Sequence, residues 1–445
     1  MRDRLLGAYR SHYNPSLARM FDAYGAPVEL AGSGAVLQDE EGCEYLDFSG
    51  GHGVFGVGHG NGAVRAAVLD QLHTLASAPP LLRTAPAATL IGRLAELLPG
   101  DLDRIALAGS GSEAMEIALR TARLARPDRR RLVAASDSYH GKTLGALAVM
   151  GQEHLRVPFG RSWPSTSFVP HGDAAAAAEA IGDGVLAMVV EPILGGGTLS
   201  VPPDGYLAAL REHCDATGTL LVVDEVQTGF GRTGTMFAVE RDGIVPDMIV
   251  LSKAITGGHT PIAVTAVREG LLAGSDALAA AAAERPSESA GSPLVCAAAN
   301  AALDFIVEHD LPGRAATLGP VVLDGLERIA RSHPELVHDA RGRGLMVGLR
   351  LRNRVVENAL WLQLLKRGVL GALSLSVART PVLRLYPPLT VERDEIERVL
   401  DVLDESLGEL RRRLRPAVYD LGDQSLRFQH RLPPSLLRRG ARLIG

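Results

Sequence analysis

Unbroken apolar runs alternate along this chain with stretches whose apolar residues recur at helical spacing. Residues 185–193 (VLAMVVEPI), 219–226 (TLLVVDEV) and 248–254 (MIVLSKA) are short and apolar almost throughout. That is the pattern of parallel strands buried on both faces. Residues 66–76 and 205–218 carry helical spacing, the second ending at Gly218, a residue suited to a helix C-terminus. Residues 103–125 read as a strand, a tight turn and an amphipathic helix, and residues 131–150 repeat that order. Residues 34–48 read as a hairpin turning at residues 40–42, followed by the glycine-rich stretch 49–62. The alternation predicts an α/β fold with a mostly parallel central sheet.

From about residue 294 the texture changes. Residues 294–311 predict a long helix able to link two lobes. A helical pattern follows, interrupted by Pro320 and Pro334. Residues 344–351 and 382–389 predict strands, and 392–414 a closing helix, so a smaller α+β domain is expected. The resulting division is residues 1–50 as an N-terminal arm and part of the small domain, 51–293 as the large domain, 294–412 as the small C-terminal domain with its linking helix, and 413–445 as a basic, irregular surface extension. The alanine run at 277–284 reads as helix or loop filler, and no internal repeat is present.

Composition narrows the function. The net charge of −5 and a pI near 6.2 disfavour nucleic acid as a partner. Cys43, Cys214 and Cys296 are far apart and form no CxxC pair, which argues against a disulfide framework or a metal site and suits a reducing cytoplasm. The first 16 residues lack the apolar core of a secretory signal. No apolar run reaches the roughly 18 residues of a membrane span. Only Lys142, Lys253 and Lys366 are lysines among 46 basic residues. Arginine supplies nearly every generic positive charge, so a retained lysine is a candidate for chemistry that needs a primary amine.

Four local signals carry chemistry. Asp224 ends an apolar strand, the edge where open α/β sheets bind ligands. Alone it reads equally well as a turn cap or as a carboxylate partner for a pyridinium N–H. Lys253 follows another apolar strand 29 residues later, a gap that suits one crossover. There, desolvation would lower its pKa and make it nucleophilic. Residues 109–113 (GSGSE) open a helix and form an anion site, or a plain serine cap. Tyr139 and His140 offer a stacking ring and a turn, and Lys142 beside them reads as a surface or loop charge. No Walker lysine accompanies the glycine-rich loop, which disfavours a nucleotide triphosphate.

These segments, in this order, resemble the class III (omega) aminotransferases of pyridoxal-phosphate fold type I. The likeness is carried by GSGSEA, SYHGKTLGAL, EPI, VVDEVQTGFGRTG and LSKA and covers roughly residues 10–410. SGGHGVFGVGH, PPDGYL and RLYPPLT are closest to the putrescine type. The resemblance implies a large domain with a mostly parallel sheet plus a smaller α+β domain, pyridoxal 5'-phosphate as cofactor, and ping-pong transfer of an amino group between an amine or amino acid and a keto acid or aldehyde. It implies that Lys253 forms the Schiff base and moves the proton, and that Asp224 binds the pyridinium nitrogen. Tyr139 and Val226 would flank the ring and Gln227 would bond its phenolic oxygen. Ser110, Gly111 and Ser112 would hold phosphate, with His140 and Glu191 supporting the site. Arg384 would receive a substrate carboxylate, and Phe55 offers an apolar wall at the entrance. A homodimer with shared sites, no metal and a cytoplasmic location complete the expectation.

Two departures bear on it. Glu288 stands where the family has a phosphate-binding threonine, with Ser287 or Ser289 as a substitute if the loop shifts. Gly196 stands where glutamate-using relatives carry an acid that masks the substrate arginine. A decarboxylase of the dialkylglycine type, a racemase, and a catalytically inactive binding protein of the same fold remain as alternatives. Tyr139, in place of the decarboxylases' tryptophan, weighs against the first.

Overall fold

The computed structural model describes residues 6–413 except 16–17, 19–21, 23–24, 80–81, 161–164, 273–289 and 374–380. The expectations for Ser287, for Glu288, for Ser289, for the alanine run and for the C-terminal extension fall outside the described residues.

The described residues form three sheets. The first holds β1 (Glu29–Ser33), β2 (Val36–Asp39) and β3 (Glu44–Asp47). The second holds β4 (Arg104–Ala108), β5 (Arg131–Ala135), β6 (Thr166–Val169), β7 (Val185–Val190), β8 (Leu220–Asp224), β9 (Met248–Leu251) and β10 (Ala263–Val267), in the order β4-β10-β9-β8-β7-β5-β6. The third holds β11 (Val337–Arg343), β12 (Met346–Leu351) and β14 (Val382–Leu385), while β13 (Val369–Leu370) joins the first.

The large sheet is parallel from β9 to β6, and β10 alone runs against its neighbours β4 and β9. Every residue of β7, β8 and β9 is buried, as their unbroken apolar runs require. Each fully buried Val or Leu contributes roughly 1.5–3 kcal/mol, so these strands fix the centre of the molecule. Helix Gly111–Ala125 buries its alanine-rich face against β9 and β10. Because parallel strands all point one way, the loops after β5, β7, β8 and β9 leave from one edge of the sheet.

The 34–48 hairpin forms as expected, with Val36 opposite Leu46. Gly218 ends helix Tyr206–Thr217 in the left-handed conformation. The long helix expected from residue 294 runs Pro293–Glu308 and packs on helices Gly62–Thr74 and Ala85–Leu97. Pro320 corrects an expectation: helix Leu311–Ser332 continues through it. A mid-helix proline costs about 3 kcal/mol. Here seven buried positions from Leu311 to Ile329 line one face of the helix and offset that cost.

Candidate active site

A cavity of about 640 Å³ opens at the carboxyl edge of the large sheet, lined among others by Ser110, Tyr139, Glu191, Asp224, Lys253 and Arg384. Its floor is the end of β8. Asp224 is buried, and its Oδ2 lies 2.7 Å from His140 Nδ1 while Oδ1 accepts the Val226 N–H at 3.0 Å. Burial works against a charged imidazole. The hydrogen bond and charge of Asp224, with the charge of Glu191, outweigh it and raise His140 above the ordinary histidine value. His140 thus acts by holding the carboxylate, and its Nε2 is buried without a partner among the described residues. Glu225, next in sequence, points elsewhere. Its oxygens take the N–H groups of Ala238 and Val239 and the Thr228 hydroxyl.

Glu191 clips two loops together, accepting the Tyr139 N–H at 2.8 Å and the Gly195 N–H at 3.0 Å. Burial lifts its carboxyl above the usual range, and nearby Asp224 adds to this. Lys253 follows β9 in the left-handed conformation, φ 49°, unusual for a side-chain-bearing residue and a mark of a constrained site. Burial lowers its ammonium from 10.5 to about 8; Arg384 and Arg232 push the same way, and Glu191 and Asp224 resist.

At the far end of the cavity helix Gly111–Ala125 begins. The Ser110 hydroxyl accepts the Glu113 N–H at 3.3 Å, so this serine is the helix cap. First-turn N–H groups of a helix have no intrahelical acceptor, and the dipole adds positive potential there. Ser112 Oγ accepts the Lys142 N–H at 3.3 Å, which brings the 139–142 loop onto the helix start. A Cβ at Gly141, where φ is 113°, would stand 2.2 Å from that oxygen, so only glycine fits. Lys142 is an exposed loop residue, as expected, and it also lines the cavity.

The sequence of this chain matches the family model described as aminotransferase class-III over residues 27–407. The chain belongs to the class III aminotransferases. It is 37% identical over 429 residues to a putrescine aminotransferase of Pectobacterium atrosepticum, covering 92% of this chain and 90% of that protein. Its fold is similar to ornithine aminotransferase from Toxoplasma gondii ME49, with a TM-score of 0.81, 29% identity, and coverage of 87% and 92% of the two chains. It is also similar to an amine transaminase from an uncultivated Pseudomonas species crystallised in its PLP-bound form, with a TM-score of 0.79, 28% identity, and coverage of 86% and 95%.

This aminotransferase is a pyridoxal-phosphate-dependent transferase, and its cavity fits that cofactor. A buried carboxylate, an amine with a lowered pKa and a helix start line the same cavity. Val226 and Tyr139 line the same space, and a Cβ on Gly111 would come within 3.2 Å of Val226. Gln227 donates through Nε2 to the His52 carbonyl at 2.6 Å. That leaves one N–H of its amide for a ligand.

Arg384 reaches the cavity from β14. It donates to the carbonyls of Gly195 at 2.9 Å and Leu373 at 2.7 Å, and its Nε has no partner among the described residues. Its partners among the described residues are thus carbonyl oxygens, not a carboxylate. A side chain at 196 would collide with Tyr139, its Cβ only 2.5 Å away.

Among the described residues expected at the site, only Phe55 is absent from the lining of this cavity. Its ring packs on His59, 4.0 Å between centroids, and against Gly51 and Gly258. His52 of the same glycine-rich stretch lines the cavity instead, because consecutive left-handed residues reverse the chain there. Gln152 was not singled out by sequence either. It lines the cavity and donates to the Gly196 carbonyl at 3.2 Å, a contact between loops that no local pattern announces. Among the described residues no His, Cys, Asp or Glu cluster is placed to hold a metal ion. Nor is any helix there long and apolar enough to cross a membrane.

Proposed function

We propose that this aminotransferase takes the amino group of a diamine of the putrescine class and passes it to a 2-oxo acid. The observation that carries the transfer chemistry is Lys253, its ammonium lowered to about 8, in one cavity with buried Asp224. The diamine reading is supported by the 37% identity to a putrescine aminotransferase over most of both chains. The acceptor reading is supported by Arg384, a buried guanidinium whose Nε has no partner among the described residues, which suits a carboxylate.

When bound, pyridoxal phosphate supplies an electron sink that stabilises the carbanion left by loss of a substrate proton. In our reading Asp224 accepts the ring N–H and is held in place by His140. Lys253 would hold the cofactor through its amine and, in the neutral form that prevails above about 8, would take a proton from the substrate carbon and return it. Gly111 and Ser112 donate to phosphate, with Ser110 capping the helix behind them. Ser287 is a further candidate for that end. Tyr139 and Val226 flank the ring, Gln227 donates to its phenolic oxygen, and Glu191 fixes the Tyr139 loop.

The division at residues 50, 293 and 412 is part of the same proposal. It is supported by β13, which carries the C-terminal region onto the N-terminal sheet beside β3. A homodimer and a cytoplasmic location complete it, the latter in keeping with three unpaired cysteines.

Absorption spectra test the reading. A visible cofactor band absent from Lys253→Ala, and bleached by putrescine but not by alanine, is expected. Bleaching by alanine alone would overturn the diamine assignment, and carbon dioxide release would overturn amino transfer.

A further inference from the structure

Asp47 closes β3 and is absent from the cavity wall, yet its carboxylate is fully engaged. One oxygen accepts the Ser49 N–H at 2.9 Å, the Ser49 hydroxyl at 2.6 Å and the Gly50 N–H at 3.0 Å. The other lies 2.7 Å from His59 Nε2. Only 1% of the Asp47 side chain and 9% of His59 reach solvent, so this is a buried charge that persists only because it is paired. His59 is itself fixed by reciprocal main-chain bonds with Gly34, of 2.8 and 3.0 Å.

Asp47 thereby ties the N-terminal sheet to an unusual loop. Gly50, Gly51, His52 and Gly53 are all left-handed, with φ of 49°, 56°, 58° and 94°. His52 is the one residue of the four with a side chain, and the conformation is unfavourable for it. A Cβ at Gly50 would stand 1.9 Å from the Tyr386 carbonyl oxygen, so the turn has no room to widen on that side. The strained turn delivers the His52 carbonyl to Gln227 Nε2, a partner 175 residues away. On the other side of that amide Gly195 leaves room for Oε1: a Cβ there would lie 1.4 Å from it.

We infer that Asp47 is a positioning residue for the cofactor: by pinning the left-handed turn it keeps the His52 carbonyl on Gln227 and so aims the remaining amide N–H into the cavity. The inference rests on the reading of Gln227 as a donor to the ring oxygen. It does not depend on which amine is the substrate. Without Asp47 the turn relaxes, the carbonyl withdraws and the amide is free to rotate.

The test uses the holoenzyme and the pH midpoint at which its visible cofactor band changes colour. Losing one hydrogen bond at the ring oxygen corresponds to a shift of about 0.5–1 pH unit. Asp47→Ala and Gln227→Ala should shift the midpoint in the same direction, and the double variant no further than Gln227→Ala alone. Asp47→Asn keeps an oxygen for Ser49 and Gly50 and should restore the wild-type midpoint. If Asp47→Ala does not fold, His59→Phe replaces it, with a smaller shift in the same direction expected. A lower melting temperature with an unmoved midpoint in Asp47→Ala (or in His59→Phe) overturns the inference, since Asp47 would then be structural only. A midpoint that moves with Asp47→Ala but not with Gln227→Ala overturns it too, and with it the role of Gln227. Failure of putrescine to bleach the band, with these shifts intact, touches only the substrate assignment.

Discussion

Lys253 shows how a single residue acquires its chemistry from its surroundings. Burial takes most of the stability from its ammonium, and the guanidinium groups of Arg384 and Arg232 take more, leaving it at about 8. Below that pH the amine is protonated and cannot attack. Capture of pyridoxal phosphate by the cofactor-free enzyme should therefore rise about tenfold per pH unit and level off above about 8. Stopped-flow absorbance reads this directly, and a rate independent of pH from 6.5 to 8 would refute it. Arg384→Leu removes a cation that depresses Lys253, so the levelling point should move upward, while KM for the oxo acid rises. The same group affects the cofactor-free fold. Between about pH 8 and 10.5 the unfolded chain holds the Lys253 proton and the folded chain does not, so stability rises with pH in that window, with the full cost below it. Lys253→Met should lose that rise in a denaturant titration series. In the loaded enzyme Lys253→Ala should lower kcat by roughly 10²–10⁴-fold, the usual worth of a positioned acid–base group.

At the scale of elements, what could be read from the chain was what is local. Strands β7, β8 and β9 announce themselves because burial on both faces demands an unbroken apolar run, and Asp224 and Lys253 stand out because they end or follow such runs. Strand β11 reads VHDARGR and carries little apolar signal, since only Val337 is fully buried. Strand β13 is two residues long and exists because it pairs with β3, more than 300 residues earlier. Asp47, His59, His52 and Gln152 escaped for the same reason. His52 and Gln152 matter through partners 175 and 44 residues away, Asp47 and His59 through each other across a loop, and none sits in a periodic pattern. Pro320 misled because a local breaker was weighed without the apolar face that its helix buries. The loop Glu191–Gly197 illustrates how tightly such contacts bind an element. Its Gly195 N–H is held by Glu191, its Gly195 carbonyl by Arg384 and Tyr386, and its Gly196 carbonyl by Gln152. Gly195→Ala places a methyl group 1.4 Å from the present position of Gln227 Oε1. The amide must give way, so the variant should show the band shift of Gln227→Ala while folding normally. A wild-type spectrum would mean that the loop, not the amide, yields.

Across the whole molecule the site depends on how the C-terminal region sits against the large sheet, and two arginines cross that boundary in opposite directions. Arg384 comes from β14 and donates to Gly195, in the loop after β7. Arg232 comes from the segment after β8 and donates to the carbonyls of Leu345 at 3.0 Å and Pro387 at 2.6 Å, while its own carbonyl accepts the Leu345 N–H at 3.0 Å. Arg232 is 1% exposed and burial lowers it to about 10, so the guanidinium carries a desolvation cost that no carboxylate bond relieves among the described residues. Two forces then compete. Replacing Arg232 by Met removes the buried charge, which favours the variant. It also leaves two buried carbonyls without a donor, at about 1–3 kcal/mol each. Both carbonyls lie close to strands of the C-terminal sheet, so their loss should loosen the seat of Arg384 as well. Arg232→Met is therefore expected to lower the melting temperature and to raise KM for the oxo acid more than it lowers kcat for the amine half-reaction. Arg232→Lys keeps the charge but replaces the Nη1 that serves both carbonyls with an ammonium on a shorter side chain, and should fall between. Thermal melts with and without the cofactor, beside half-reaction kinetics, separate the two forces. If Arg232→Met melts at or above the wild-type temperature yet still raises KM, the charge was a net cost to the fold, and the arginine serves chiefly to align the two regions around Arg384.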